Sequence, residues 1–306
     1  MQCHIAYAYK TKLRLHIYGR DLGGMRTEHP AFIKERSAQI EDIKSKLYDE
    51  NIFLATNHHD SSDDNDVVFN VIVGEPDEKL FCGLNLAANC NPYPGQIYPL
   101  QLPDESPSRA WLKIEEAIAF VSSRYPDLKV NKGEVAVEIG SAPGGACYSL
   151  LNRQLIVYGV DPCPPDRQHS SVIKANKNFH EIKGTLQSVT RAQLPKQCQW
   201  LLCDANISPR EALPKLLMIL DHYKEFLKGF FYTCKLNDEF WKKEGDLLIY
   251  LDELENRIKK EVTACEDVIF TQLTANRKEI LCFVKMNALP ERWSRLEPLI
   301  IGFWEI

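Results

Sequence analysis

The sequence predicts an α/β protein with an open, mostly parallel sheet, preceded by a small α+β region, and three observations carry that prediction. The first is the stretch from Val135 to Asp161. An apolar run (Val135, Ala136, Val137, Ile139) breaks into Gly140-Ser-Ala-Pro-Gly-Gly145, a short helical pattern reaches Arg153, and a second apolar run, Leu155 to Val160, stops on Asp161. The second is the alternation of strand and helix patterns that continues to Met286 and closes on two β-runs. The third is the break at Asn91-Pro-Tyr-Pro-Gly95, which separates this alternation from what precedes it.

Ahead of the break, Leu13 to Tyr18 is one predicted strand. A surface helix is expected over Ala31 to Leu47, with Phe32, Ile33, Ile40, Ile43 and Leu47 on one face. Strands are expected at Ile52 to Ala55 and Val67 to Val73, joined by the polar run Asn57 to Asp66 as a solvated hairpin loop. His58, His59 and the aspartates of that run lack the spacing of a calcium loop or a zinc site, so no metal ligands are assigned. Lys79 to Ala88 is a further strand. The expected organisation is a small α+β region over 1–95, a larger domain over 96–290 and a tail over 291–306.

Beyond the break, Ser106-Pro107 reads as N-cap and first turn of a helix. Leu112, Ile114, Ala117, Ile118 and Val121 form its buried stripe, with Lys113 beside it. After Asp161 come a strand (Phe179 to Lys183), a helical stretch through Val189, and an apolar strand, Trp200 to Cys203, ending on Asp204. Ser208-Pro209 opens a helix whose core face is Leu213, Leu216, Leu217, Leu220 and Phe226. Gly229 to Lys235 is a strand ending on an amine. A helix over Asp238 to Glu261 buries Phe240, Leu247, Leu248, Leu251, Leu254 and Ile258. Val268 to Leu273 and Glu279 to Met286 are expected to pair antiparallel.

With 306 residues there is room for one full α/β domain and an accessory region. The formal net charge of -5 provides no global basic field for polyanions, so contact with RNA has to come from local Lys/Arg clusters. Ten cysteines are scattered without a C-x-x-C pair and read as reduced core thiols of a cytoplasmic protein. No long apolar run and no charged-then-apolar leader is visible, so neither a membrane span nor secretion is expected.

A strand, glycine loop, helix, strand and terminal acid make a nucleotide pocket in such a sheet. Two cofactors fit it. As a dinucleotide fingerprint, Gly140-x-Ala142-x-x-Gly145 is degraded and puts a proline where an amide would help hold pyrophosphate, which leaves an NAD-linked oxidoreductase as a weaker reading. As a pocket for S-adenosylmethionine (SAM), Glu138-x-Gly140-x-Ala142-Pro143-Gly144-Gly145 needs no phosphate cradle.

The run Ala142-Pro143-Gly144-Gly145 after an acid-x-Gly strand end resembles the FtsJ-type ribose 2'-O-methyltransferases. The linker from Asn91 to Pro103 and the helix opening at Ser106 are similar to the RlmM branch of that family, which modifies a cytidine ribose of large-subunit ribosomal RNA. The resemblance implies a seven-stranded Rossmann-like methyltransferase domain, SAM as cofactor, rRNA as partner, and a reduced THUMP-like RNA-binding module in 1–95. It also implies that Lys113, Asp204, Lys235 and Glu279 form the family's Lys-Asp-Lys-Glu tetrad. In this reading Lys235 is the general base that takes the ribose hydroxyl proton, its pKa lowered by burial and by Lys113. Asp204 orients it, Lys113 also holds the target phosphate, and Glu279 positions Lys113 or the ribose. Gly140, Ala142, Pro143, Gly144 and Gly145 would approach SAM through their backbones, with Asp161 on an adenosine hydroxyl or the amino-acid end. Ala146 stands where relatives often carry an aromatic, and no acid near Gly184-Thr185 marks an adenine side. The remaining alternative is a SAM-fold RNA-binding protein with little or no activity.

Overall fold

A computed structural model describes residues 12–20, 30–56, 60–74, 78–89, 91–236, 246–276 and 279–287. These divide into two units, one ending at Leu100 and also holding Ser122–Pro126, the other made of the remainder from Gln101. His58 and His59, Phe240 with the first turns of its helix, and the tail over 291–306 lie outside the described residues, as do the side chains of Phe32 and Ile33.

In the first unit, β1 (Arg14–Gly19) and β2 (Val67–Val73) run parallel, and β3 (Phe81–Leu86) pairs antiparallel with β2. Helix α1 (Pro30–Leu47) packs Ile40, Ile43 and Leu47 against Leu13, Leu15, Ile17, Phe53, Val71 and Val73. The expected strand at Ile52 to Ala55 is a single parallel bridge between Leu13 and Phe53. The amides of Ile52 and Phe53 are already spent on the carbonyl of Asp49 (2.9 and 2.8 Å), which leaves only Leu54 to donate to Leu13. No hairpin joins it to β2, whose partners are β1 and β3. Nor is the polar run wholly solvated: Asp66 accepts from the buried Arg14 (3.1 Å), Asp60 pairs with Lys44, and Ser62 is buried.

The second unit is a seven-stranded sheet in the order β6-β5-β4-β7-β8-β10-β9. Its members are β4 (Val135–Ile139), β5 (Ile156–Asp161), β6 (Phe179–Lys183), β7 (Trp200–Cys203), β8 (Gly229–Lys235), β9 (Cys265–Thr271) and β10 (Glu279–Met286). The pairings from β6 to β8 are all parallel, and β10 inserts antiparallel between β8 and β9. Numbered within this sheet the order is 3-2-1-4-5-7-6, so the chain reverses its direction of progress at β4. There the ends of β4 and β7 open a crevice. This is the Rossmann-like α/β architecture expected from the sequence.

Helices α2 (Ala110–Arg124), α3 (Gly145–Asn152), α4 (Pro209–Tyr223) and α5 (Asp246–Glu261) accompany the sheet. On one face, Leu213, Leu216 and Leu220 of α4 and Leu254 and Ile258 of α5 join Val137, Leu201, Phe230 and Val284 in one buried cluster. Each such side chain contributes about 1.5–3 kcal/mol by leaving water.

Four further expectations need correction. Helix α2 starts at Ala110, with Ser108 Oγ rather than Ser106 accepting from the Ala110 amide (3.3 Å), while Ser106 Oγ donates to the Ser108 carbonyl. The stretch to Val189 is a turn, because Thr185 and Ser188 satisfy each other's amides (2.8 and 3.1 Å) and compete with a helix. Leu248 is 68% exposed; the buried face of α5 takes Tyr250 instead, beside the expected Leu251. Phe226 lies past the end of α4 and is half-buried, whereas Leu227 is fully buried.

Candidate active site

The site grows out of the carboxyl edge of the sheet. Asp204 follows β7, and its amide donates to the Ile139 carbonyl at the end of β4 (3.0 Å). Lys235 ends β8, the strand beside β7. Because β10 runs antiparallel to β8 in a register that pairs Glu279 with Lys235, the first residue of one strand meets the last of the other. Lys113 arrives from the first turn of α2.

Together the four close a ring of alternating charge. Lys235 Nζ is 2.5 Å from Asp204 Oδ1 and 2.5 Å from Glu279 Oε1. Lys113 Nζ is 3.1 Å from Asp204 Oδ2 and 2.6 Å from Glu279 Oε2, the latter an ion pair without hydrogen-bond alignment. Each side chain keeps about a fifth of its surface in contact with solvent, from 18% to 22%. The expected depression of Lys235 is not what this ring produces. Burial pulls its pKa down, but the charges and hydrogen bonds of Asp204 and Glu279 outweigh burial and hold it above the ordinary lysine value. The resting amine is therefore an ammonium.

Beside the ring a cleft is lined by Lys113, Glu138, Ala146, Asp204 and Thr233. Glu138, on β4, is almost fully buried and accepts from the Cys147 thiol (2.8 Å). Burial pushes its carboxyl up to about 8, so it is largely protonated at neutral pH. Since the unfolded carboxyl titrates near 4.5, the native state holds the extra proton between about 4.5 and about 8. Stability from this group is complete below that window and is lost as pH rises through it. Glu138→Gln should flatten this dependence. Urea unfolding from pH 5 to 8.5 should show wild type losing on the order of a few kcal/mol relative to the variant. Parallel curves for the two proteins would contradict a protonated Glu138.

The glycine loop fits a cofactor without phosphates better than a dinucleotide. The Gly140 and Ser141 amides both point to the Val160 carbonyl (2.8 and 3.3 Å), the Ala142 amide donates to Asp161 Oδ2 (3.2 Å), and Pro143 has no amide. Nothing in that run is left to cradle pyrophosphate. The glycines themselves are required by the chain's own close approaches. A Cβ on Gly140 would lie 2.7 Å from Ala205 backbone atoms, one on Gly144 2.6 Å from Ile173, and one on Gly145 2.3 Å from Ser108 Oγ. Asp161, at the end of β5, is fully buried. It accepts from the Ala142 and Cys163 amides, and more loosely from Arg167 (3.3 and 3.4 Å). Arg167 is half-exposed and its contacts are long, so its departure would free carboxylate lone pairs for a ribose hydroxyl.

Two contributors escaped the sequence reading. Glu116 is buried and accepts from the Thr274 and Ala275 amides (3.1 and 2.7 Å), anchoring α2 to the loop before β10. Glu115 takes Arg153 bidentately (2.8 and 2.7 Å) together with Ser149, tying α2 to α3. A pair of glutamates inside the apolar stripe of α2 was the available signal.

Strand order, glycine loop and the charged cluster at the sheet edge define a Rossmann-like methyltransferase domain. Residues 107–256 match the FtsJ-like methyltransferase family. SAM is the methyl donor of such enzymes, in keeping with the cofactor expected from the loop. Two relatives bear the name ribosomal RNA large subunit methyltransferase M. That of Histophilus somni (strain 129Pt) is 27% identical over 190 residues, 61% of this chain and 49% of that protein. That of Shewanella woodyi (strain ATCC 51908 / MS32) is 31% identical over 216 residues, 68% of this chain and 55% of that protein. The chain thus spans about half the length of these relatives. Among solved structures, Aeropyrum pernix fibrillarin with bound S-adenosyl-L-methionine is 15% identical, with a TM-score of 0.38 over 56% of this chain and 71% of that one.

Proposed function

We propose that this chain is a SAM-dependent ribose 2'-O-methyltransferase acting on ribosomal RNA in the cytoplasm. The observation that carries the proposal is the closed ring of Lys113, Asp204, Lys235 and Glu279 at the mouth of the crevice. SAM supplies an electrophilic methyl group on a sulfonium. A ribose hydroxyl is a weak acid, so a residue at the attack point has to take its proton as the oxygen becomes nucleophilic. Lys235 is placed for that role once it has itself lost a proton. Asp204 and Glu279 fix its amine in position, and Lys113, held by the same two carboxylates, presents a cation to the nucleotide's phosphate. Asp161 and the Gly140–Gly145 loop would hold the cofactor, with Glu138 and Ala142 behind them.

Residues 1–95 are proposed as the RNA-contacting region and 96–290 as the catalytic domain. Within the first unit, Tyr18, Asn70, Phe81, Asn85 and Tyr93 line a hollow of about 370 Å³, a size and chemistry suited to an unstacked base. No helix among the described residues is long and apolar enough to cross a membrane.

Incubation with labelled SAM and ribosomal RNA from cells lacking the gene, followed by digestion to nucleosides, tests the reading. The expected product is a 2'-O-methylnucleoside. A base-methylated nucleoside would overturn the ribose assignment, and SAM binding with no transfer to RNA would favour an inactive RNA-binding protein.

A further inference from the structure

Away from the lysine ring, at the opposite flank of the glycine loop, three side chains of different chemistry converge. Cys163 follows β5, His169 lies in the connection to β6, and Glu181 is on β6. Their ligand atoms all lie within 4.8 Å of one another. Cys163 Sγ is 3.4 Å from His169 Nδ1 and 3.6 Å from Glu181 Oε1, while His169 Nδ1 is 2.8 Å from Glu181 Oε1. Metal–ligand bonds of about 2.3 Å to sulfur and about 2.0–2.1 Å to nitrogen or oxygen imply tetrahedral ligand separations of roughly 3.3–3.6 Å. Two of the three distances already match. The third needs to widen by about half an ångström, a movement open to Glu181, whose side chain is 26% exposed, as the metal takes its coordination geometry.

The imidazole is prepared for such a role. His169 Nε2 is 2.9 Å from Ser141 Oγ, and its fully buried ring packs edge-on against Phe179 with centroids 4.8 Å apart. Gly159 leaves the room for this, since a Cβ there would sit 2.8 Å from both Ser141 Oγ and the Phe179 ring. With Nε2–H donating to Ser141, the Nδ1 lone pair faces a thiol sulfur and a carboxylate oxygen. The Cys163 thiol donates to Glu181 Oε1, and once that proton is released three acceptors point at one place, which a cation resolves. A ligating histidine whose other nitrogen donates to an oxygen is the usual arrangement in metal centres. The neighbouring positive charge is Lys174, whose Nζ is 4.0 Å from Glu181 Oε1 and whose side chain is 44% exposed, so it can withdraw.

We propose that Cys163, His169 and Glu181 bind one zinc ion, with the fourth position open to water on the Glu181 side. Thiolate, imidazole and carboxylate in tetrahedral array select Zn²⁺ among common divalent ions. On binding, the sulfur–proton bond of Cys163 is replaced by a sulfur–metal bond and the proton passes to solvent. The ion would staple the Asp161–Ser170 connection to β6 and, through His169 and Ser141, hold the glycine loop.

The test uses the full chain stripped of metal. Zn²⁺ alone is titrated against a chromophoric chelator, and Co²⁺ is then used as a spectroscopic substitute. One equivalent should bind, and the Co²⁺ form should show thiolate charge transfer in the near ultraviolet with intense tetrahedral bands in the visible. Cys163→Ser should remove the charge transfer, Glu181→Gln should weaken binding, and Ser141→Ala should weaken it by about 10–100-fold. Cys82→Ser, at an exposed cysteine, should change nothing. Glu181 is at the rim, so its variant reports even if Cys163→Ser fails to fold. Absence of stoichiometric binding, a Co²⁺ spectrum without thiolate charge transfer, or binding indifferent to Glu181→Gln would overturn the proposal. The first of these is also what the other histidine tautomer, donating Nδ1–H to Glu181, would give.

Discussion

Lys235→Ala should lower methyl transfer to RNA by about 10²–10⁴-fold, the range spanned by loss of a positioned general base, while SAM affinity stays within about threefold. The two readouts separate because Lys235 lies at the end of β8, whereas the glycine loop and Asp161 belong to β4 and β5. Lys235→Arg should not restore activity, since a guanidinium keeps its charge and cannot accept the proton. In wild type the sign of the pH dependence follows from the resting ammonium. Asp204 and Glu279 hold the Lys235 pKa above its ordinary value against the pull of burial, so the neutral amine is a small minority at neutral pH. Single-turnover rates should climb with pH, tenfold per unit at the limit, through the alkaline range in which the protein remains folded. Asp204→Asn removes one opposing charge and should shift that climb to lower pH. A rate independent of pH, or near-normal transfer by Lys235→Ala, would leave Lys235 without the role of base.

Gly140→Ala should destabilise the second unit by on the order of 2–5 kcal/mol, the sum of a left-handed backbone forced on a residue with a Cβ and an overpacked contact. Gly140 has φ 82°, and the added methyl would meet the Cα and N of Ala205 at 2.7 Å and the carbonyl carbon of Asp204 at 3.0 Å. All three are backbone atoms directly following β7, so no rotamer change relieves the clash. Either the loop or the exit of β7 has to move, and that exit carries Asp204. Urea unfolding measures the first effect, and loss of transfer in the surviving folded protein measures the second. A cost under about 1 kcal/mol would mean that the crevice is loose enough to absorb a methyl group.

Much of this was legible along the chain because it is written in local patterns. Strand, glycine loop, helix, strand and acid follow one another between Val135 and Asp161, and their observed limits, β4 ending at Ile139 and β5 at Asp161, differ from the expected ones by a residue at most. Errors fell where short-range hydrogen bonds compete with periodicity. Thr185 and Ser188 close a turn on themselves, Asp49 takes the amides that a strand at Ile52 would need, and Ser108 displaces Ser106 at the head of α2. The face of α5 was misjudged at Leu248 because one leucine more or less hardly alters a helical stripe, whereas its neighbour Tyr250 is decided by what lies opposite.

By itself the sequence determined the α/β class, the strand-ending positions of Asp204 and Lys235, and the glycine loop that needs no phosphate. Backbone preference and alternation of apolar residues act over a few positions, so a single chain displays them directly. Only the tertiary structure decided that Lys113 reaches across 91 residues to Asp204, that Glu279 opposes Lys235 in an antiparallel register, and that Lys235 rests as an ammonium. Coulombic interaction depends on distances of a few ångströms and on exclusion of water. Neither quantity exists until the sheet has brought its strand ends together.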